Sequence, residues 1–422
     1  MKGSDEMAEP MEENIVAAVD IGTTKVCTVI AEIKEEEINV MGVGWQENYG
    51  ASKGAITNIA DTTEAIRKSI QKAEDMANVK VEAVLASISG KHILGIKGHG
   101  ETTLSHSKQK EITEHDMDRA MEGATSVPMA QDKEKLHVIS TQYIVDTQDE
   151  IENPVGMTGM KLEVDAYVIT GSVTAVDNVR KVVERAGYKA EDVILQALAS
   201  ANAVLYKDEK DIGVLLLDIG GGTTDMALYY KGALRFVKVI PVGGQLITND
   251  LVKGLQTPKN IAEDIKKKYG IFDPAVNEKD DLIDVPDMGS SKVSKVEASK
   301  LSYYIKPRVR ELVKFIEAEL EKEGIERNMY AGGVVLTGGT ALLKGIDRII
   351  TEEMDIRVRV GTPLKEKVVG LFDIVNTTEY ATVIGLIEYF MRERRVNNYF
   401  LKKRNLLENI WFYIKNLITD NI

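Results

Sequence analysis

The chain has 422 residues, 44% of them hydrophobic, and 66 acidic against 53 basic side chains give a net charge of −13. That length accommodates two or three domains, and the acidic balance argues against nucleic acid as the main partner. The single cysteine, Cys27, excludes internal disulfides and a cysteine-based metal site, which suits a reducing cytosol.

Residues 1–13 are acidic and polar and read as a disordered tail without signal-peptide character. A β-meander follows, with strands expected near 15–20, 26–33 and 39–44. A helix near 61–77 is entered at Thr62 and Thr63, with Ile66, Ile70, Ala73 and Met76 on one face. A strand covers 84–88. From 89 to 168 the pattern loosens into a compact insert holding two strands (136–146 and 161–170) and a helix near 113–126. Thr113 caps that helix, with Asp116 three residues on. A helix over 174–186 closes at Gly187, then come a strand at 193–195 and a helix at 197–206. The five histidines stand singly and carry no metal-ligand spacing.

In the second half a helix over 258–269 takes Pro258 in its first turn. The polar stretch 274–293 reads as a loop. Helical runs follow up to about 304 and from 307 to 323, with a break or kink expected at Pro307. Helix 342–353, strand 355–360 and helix 378–392 complete the core.

Three segments carry the chemistry. Asp20-Ile21-Gly22-Thr23-Thr24-Lys25 and Asp218-Ile219-Gly220-Gly221-Gly222-Thr223-Thr224-Asp225 stand 198 residues apart and say nearly the same thing: strand, tight turn, strand. Their glycines permit the turn and the close approach of backbone N–H groups to a ligand. Consecutive N–H groups in such a turn form a concave anion site. The threonines add hydroxyl donors, and Asp20 and Asp218 suit a divalent cation carried by phosphates. The third segment, Val334 to Leu343 (VVLTGGTALL), reads as a strand, a Gly-Gly turn and a helix start, with Thr340 as a possible cap. No G-x-x-x-x-G-K-[ST] loop occurs, and no G-x-G-x-x-G opens a helix after a strand.

The order of these motifs resembles the actin, Hsp70 and sugar-kinase superfamily: two phosphate loops, then an adenosine loop. Narrower segments are similar to the bacterial cell-division FtsA family. They are Ser89-Gly90-Lys91-His92-Ile93, Leu136 to Ile139 with Asn153 to Gly156, Val179 to Gly187, Leu198 to Ser200, Gly232 to Pro241, Lys306-Pro307-Arg308, and Val335 to Ile346. The resemblance covers about residues 12–390. It implies an α/β, actin-like (ribonuclease H-like) two-lobed fold with an inserted 1C subdomain of SHS2 type and a C-terminal amphipathic helix. The implied division is 14–88 with 169–206 as subdomain 1A, 89–168 as 1C, 207–253 with 326–392 as 2A, and 254–325 as 2B.

By that resemblance ATP and Mg²⁺ are the ligands. Gly22, Thr23, Thr24 and Lys25 would meet the phosphates from one side and Gly220, Gly221, Gly222, Thr223 and Thr224 from the other. Asp20 and Asp218 would hold Mg²⁺ through water. Gly338, Gly339 and Thr340 would contact adenosine, and Glu263 and Lys266 match positions that hold ribose and adenine. The alternative readings are a solvated edge-strand residue for Lys25 and a solvated helical pair for Glu263 with Lys266. Gln196 stands where relatives orient water, or else caps a helix, so no catalytic residue is assigned and turnover is expected to be slow or absent. The implied partners are the C-terminal peptide of the tubulin-like polymer FtsZ, further copies of the chain, later division proteins through 1C, and anionic lipid. Lys306, Arg308 and Arg310 offer the FtsZ peptide a basic helix face, or are ordinary exposed charge.

From Arg392 onward seven basic residues face three acidic ones, a basic end on an acidic body. Residues 393–404 read as a linker and 405–420 as an amphipathic helix. Leu406, Leu407, Ile410, Trp411, Ile414, Leu417 and Ile418 trace one face of it. At roughly sixteen residues it is too short to span a bilayer. It suits the interface, with Lys402, Lys403 and Arg404 drawn to anionic lipid, or else docks on its own core. The family uses such a tail on the cytoplasmic face of the cell membrane at the septum. A small-molecule kinase of the superfamily and an actin-like adaptor of another system, such as pilus assembly, are the alternative functions.

Overall fold

The computed structural model describes residues 14–105, 108–271, 280–289 and 292–393. Its framework is one β-unit used twice. In the first sheet Ile15–Ile21 pairs antiparallel with Lys25–Lys34, which pairs antiparallel with Glu37–Glu47. On its other side Ile15–Ile21 runs parallel to Ala83–Ile88, which is followed by Lys189–Leu195. In the second sheet Val214–Ile219 pairs antiparallel with Thr224–Tyr230 and then Ala233–Ile240, and parallel with Val334–Thr337 and then Val358–Val360. The two phosphate-loop motifs therefore occupy the same turn of the same meander. A late strand, Val368–Gly370, crosses back to extend the first sheet beside Glu37–Glu47.

These strands are apolar on both faces, as sheets covered on both sides require. Val214 to Leu217 and Val26 to Ala31 are all buried. The helix Val173–Ala186 turns Val176, Val179, Val182 and Val183 inward, each burial contributing roughly 1.5–3 kcal/mol. Gly187 ends it in the left-handed region at φ 102°, which a Cβ would strain. A helical stretch over 381–393 joins the core between the lobes, with Val383, Ile384, Leu386 and Ile387 fully buried among residues of both sheets.

The insert is a four-stranded sheet, Gln148–Ile151, Lys133–Val145, Lys161–Ser172 and Leu94–Thr103, covered by the helix Glu114–Thr125. Thr113 and Asp116 cap that helix reciprocally, as their spacing predicts. Leu94–Thr103 escapes the sequence reading because glycines at 95, 98 and 100 weaken its strand pattern. The structure supplies their reason: a Cβ on Gly98 or Gly100 would lie 2.0 Å from the Ala124 or Ala120 carbonyl oxygen of the covering helix.

Several expectations are corrected. Helix Ser299–Lys322 continues through Pro307 without the break expected there. The proline lies on its exposed side, as does Tyr303, whose carbonyl loses its helical donor to the proline. The described part of the 274–293 stretch is not all loop: Leu282–Pro286 pairs with Val293–Glu297, burying Ile283 and Val285. The first long helix starts at Ile59, capped by Asn58, and Met76 is exposed rather than on its buried face. Gly339–Leu342 is a 3₁₀ turn, and the helix after it begins only at Ile346. Glu393, expected to open the 393–404 linker, is helical; the rest of that linker and the amphipathic segment 405–420 lie outside the described residues. Among the described residues no helix is long and apolar enough to cross a membrane.

Candidate functional site

The two phosphate-loop turns face each other across the lobes and interlock. A Cβ on Gly221 would lie 2.6 Å from Thr24, and one on Gly222 would lie 2.5 Å from the Thr23 hydroxyl. Side chains of the first turn thus occupy the room that the glycines of the second leave open. Each turn closes on itself in the same way, Gly22 N–H donating to Lys25 O and Gly220 N–H to Thr223 O, both at 2.9 Å. The Asn48 amide ties down the Gly22 carbonyl at 2.8 Å. Thr23 is buried and accepts from Gly54 N–H at 3.1 Å. The Thr224 hydroxyl instead turns away, donating to the Val242 carbonyl at 2.8 Å.

Asp20 and Asp218 end equivalent strands, both buried. Asp20 accepts from Ser87 at 2.8 Å and from the Gln196 amide at 2.9 Å. Asp218 accepts from Ser200 and, at 3.1 Å, from Thr382. Burial pushes the Asp20 carboxyl up, with Ser87 and Lys25 opposing it. Burial, reinforced by the Asp20 charge, pushes Asp218 up to about 6. Buried carboxyls held high in this way are a donor set that a divalent cation relieves, so the pair fits Mg²⁺.

The third glycine turn lies beneath them. Gly338 sits at φ 84°, and a Cβ there would come within 2.3 Å of the Asp218 carboxylate, so only glycine fits. Thr340 does not cap a helix; its hydroxyl donates to Gly220 O at 2.8 Å and joins the third turn to the second. Lys25 is not a solvated edge residue. Its ammonium donates to the Glu379 carbonyl and carboxylate at 3.2 and 3.1 Å, with its side chain 13% exposed. Glu263 and Lys266 are likewise more than a solvated pair. Lys266 is buried and donates to Glu263 at 2.7 Å, Thr248 at 2.9 Å and Gly244 O at 3.2 Å. Gln196 opens the helix Gln196–Val204 with its amide committed to Asp20 and Ser87.

Asp225 escaped notice as a site residue. It stands directly across the ladder from Asp218, is buried, and accepts from Ser89 at 2.6 Å. Burial and the Asp218 charge push its carboxyl up to about 8. The signal was its place at the end of the second motif, where the first has Lys25 after its threonines. The histidines are not all single in space: His99, Glu101 and Glu163 gather on the insert sheet, with Asp165 against His99 at 2.8 Å and Lys161 paired to both glutamates.

A family model described as "Cell division protein FtsA" matches residues 215–385, and one described as "SHS2 domain inserted in FTSA" matches 90–170. A Cell division protein FtsA of Neisseria meningitidis serogroup B is 39% identical over 377 residues, covering 89% of this chain and 90% of its own. The chain belongs to the FtsA family. The Escherichia coli K12 FtsA is 32% identical over 419 residues, 97% of this chain and 98% of its own. Among solved structures, a PilM–PilN type IV pilus biogenesis complex superposes with a TM-score of 0.63 at 16% identity, covering 88% of this chain and 97% of its own. MreB5 of Spiroplasma citri bound to ADP gives 0.54 at 17%, covering 92% and 98%. At those identities the likeness is one of fold, which is actin-like with the SHS2 insert of FtsA proteins.

Proposed function

We propose that this FtsA-family protein binds ATP with Mg²⁺ between its lobes and, in that state, tethers the division polymer FtsZ to the membrane. The observation that carries the nucleotide reading is the convergence of all three glycine turns on Asp20 and Asp218. In it, the turns that Gly22 and Gly220 close present the Gly221 and Gly222 backbone N–H groups, with the Thr23 and Thr223 hydroxyls, to the phosphates. Mg²⁺, held through water by the two aspartates, supplies charge neutralisation, and Lys25 exchanges Glu379 for phosphate. Gly338, Gly339 and Thr340 flank the adenosine, with Glu263 and Lys266 at the ribose and base. The MreB5 neighbour with ADP supports a nucleotide in this fold. With Gln196 engaged by Asp20, ATP serves assembly more than turnover, so the protein is an adaptor rather than an enzyme.

The FtsZ peptide is assigned to the groove between the helices Gly244–Leu255 and Ser299–Lys322, about 840 Å³, lined by Lys253, Tyr303, Tyr304, Arg308, Arg310 and Lys314. Basic groups beside apolar rings suit a peptide of mixed acidic and apolar residues. The amphipathic tail, through Leu406, Leu407, Ile410, Trp411, Ile414, Leu417 and Ile418, places the protein on the cytoplasmic face of the membrane at the septum. Self-association into actin-like filaments and recruitment of later division proteins through the insert complete the reading.

ATP affinity measured by calorimetry tests the site. Asp218→Ala removes the metal's support, and Gly221→Val drives a branched side chain into Thr24, so each should lower affinity at least tenfold. Unchanged affinity in both variants would sink the assignment.

A further inference from the structure

We propose that a second cavity, where the insert meets both lobes, binds a small organic anion whose phosphate or carboxylate head is held by Lys210 and Arg392. The cavity measures about 740 Å³, within the range of small-molecule sites. Its walls come from the insert strand Lys133–Val145, the helices Gln196–Val204 and Lys207–Ile212, the strands Thr224–Tyr230 and Ala233–Ile240, and the end of the 381–393 helix. The nucleotide turns contribute nothing to it, so this site is independent of the nucleotide reading.

Lys210 is 9% exposed and lines the cavity. Among the described residues its ammonium makes no hydrogen bond or ion pair; its one polar contact is the Tyr229 ring face at 4.8 Å. A buried cation without a counter-charge is costly, because desolvation is not repaid by a partner. Burial, with Arg392 and Lys367 adding repulsion, pushes Lys210 down to about 7. The carboxylates that oppose this shift already have cations of their own: Glu388 pairs with Lys367 at 2.8 Å and Glu209 with Arg359 at 2.6 Å. Neither bonds the Lys210 ammonium among the described residues, although Glu388 Oε1 is itself buried without a hydrogen-bond partner.

Arg392 lines the cavity and spends one donor on Asn202 at 3.1 Å, its one hydrogen bond among the described residues. Guanidinium and ammonium together are the donor set for an oxyanion. Of the carboxylates that line the cavity, Glu150 is paired with Lys231; Glu152, Asp211 and Glu393 line it as well, and among the described residues none of them is ion-paired to Lys210 or Arg392. Tyr229, Tyr389, Leu198 and Leu234 add an apolar wall, so the head is charged and the body attached to it is apolar or aromatic. Such a ligand touches the insert, both lobes and the last helix at once, and would hold them in one arrangement.

The test reads Lys210 itself. The full chain, with ATP and Mg²⁺ present throughout, is acetylated with acetic anhydride at pH 8, and lysine modification is followed by peptide mass spectrometry. Inorganic pyrophosphate and citrate form separate arms that distinguish phosphate from carboxylate heads. Acetylation of Lys210 should fall at least fivefold in one arm while exposed lysines such as Lys300 stay unchanged, and Arg392→Gln should remove that protection. Acetylation in both arms equal to that without anion, or protection that survives Arg392→Gln, overturns the proposal. If Lys210 resists acetylation even without anion, crystals soaked in tungstate decide. An anomalous peak in hydrogen-bonding reach of Lys210 Nζ supports the site, and its absence there overturns it.

Discussion

Three carboxyls at the lobe junction, Asp20, Asp218 and Asp225, are buried together in the second and third cases with values pushed up to about 6 and about 8. An acid whose folded value is raised binds more protons when folded than unfolded. Its stability contribution is complete below the unfolded value near 4 and is lost as pH rises through the folded value. Asp225→Asn keeps an acceptor for Ser89 and removes the titration. Relative to the parent, the ligand-free variant should therefore gain stability between pH 5 and 8, by about 2–4 kcal/mol across that window. Denaturant unfolding in chelator at several pH values checks this, and a pH-independent difference would refute the assignment of that proton to Asp225.

At the scale of elements, the helix Ser299–Lys322 shows how context changes the meaning of a charge. Lys306, Arg308 and Arg310 read together as a basic face. In the fold Lys306 is not among the groove-lining residues, Arg310 pairs with Glu353 at 2.7 Å, and Arg308 grips Asp250 through two hydrogen bonds at 2.7 and 3.0 Å while also meeting Glu311. Arg308→Glu would bring three carboxylates together, so its effect on FtsZ binding mixes with a loss of helix packing. Lys314→Glu, on an exposed position of the same groove, is the cleaner variant. It should weaken FtsZ-peptide binding several-fold in fluorescence anisotropy while leaving the melting temperature within about a degree, as surface substitutions do. Equal binding by Lys314→Glu would count against this groove.

At the scale of the whole molecule, the proposed function gives the tail and the nucleotide lobes separate tasks. Burying one face of the 406–418 segment at a lipid interface is worth several kcal/mol, from about 1.5–3 kcal/mol for each large apolar side chain fully buried and less at an interface. Trp411→Glu sets a charge in the middle of that face, so binding to anionic vesicles should fall at least tenfold with ATP affinity unchanged. Deleting residues 405–422 should leave a protein that still binds FtsZ but no longer carries it to lipid in co-sedimentation. A truncated chain that still pellets with vesicles would refute the membrane role of the tail.

Much of the frame is written locally. The echo of Asp20 to Lys25 in Asp218 to Asp225 is enough to place two equivalent meanders, because a tight glycine turn between apolar strands is a short-range decision. The same holds for the Thr113 cap and for the Gly187 stop. What the sequence alone leaves open depends on neighbours distant in the chain. Gly221 and Gly222 serve the threonines of the opposite turn as well as any ligand, Gly338 makes room for Asp218, and Lys25 finds Glu379, 354 residues away. Leu94–Thr103 becomes a strand because a helix needs its glycines, and Pro307 is tolerated because its side of the helix faces water. In the sequence Lys210 is one charge in the polar run Lys207 to Asp211. Only the meeting of insert, lobes and last helix buries it without a hydrogen-bonding partner among the described residues, since burial is a property of the assembled fold and not of any segment.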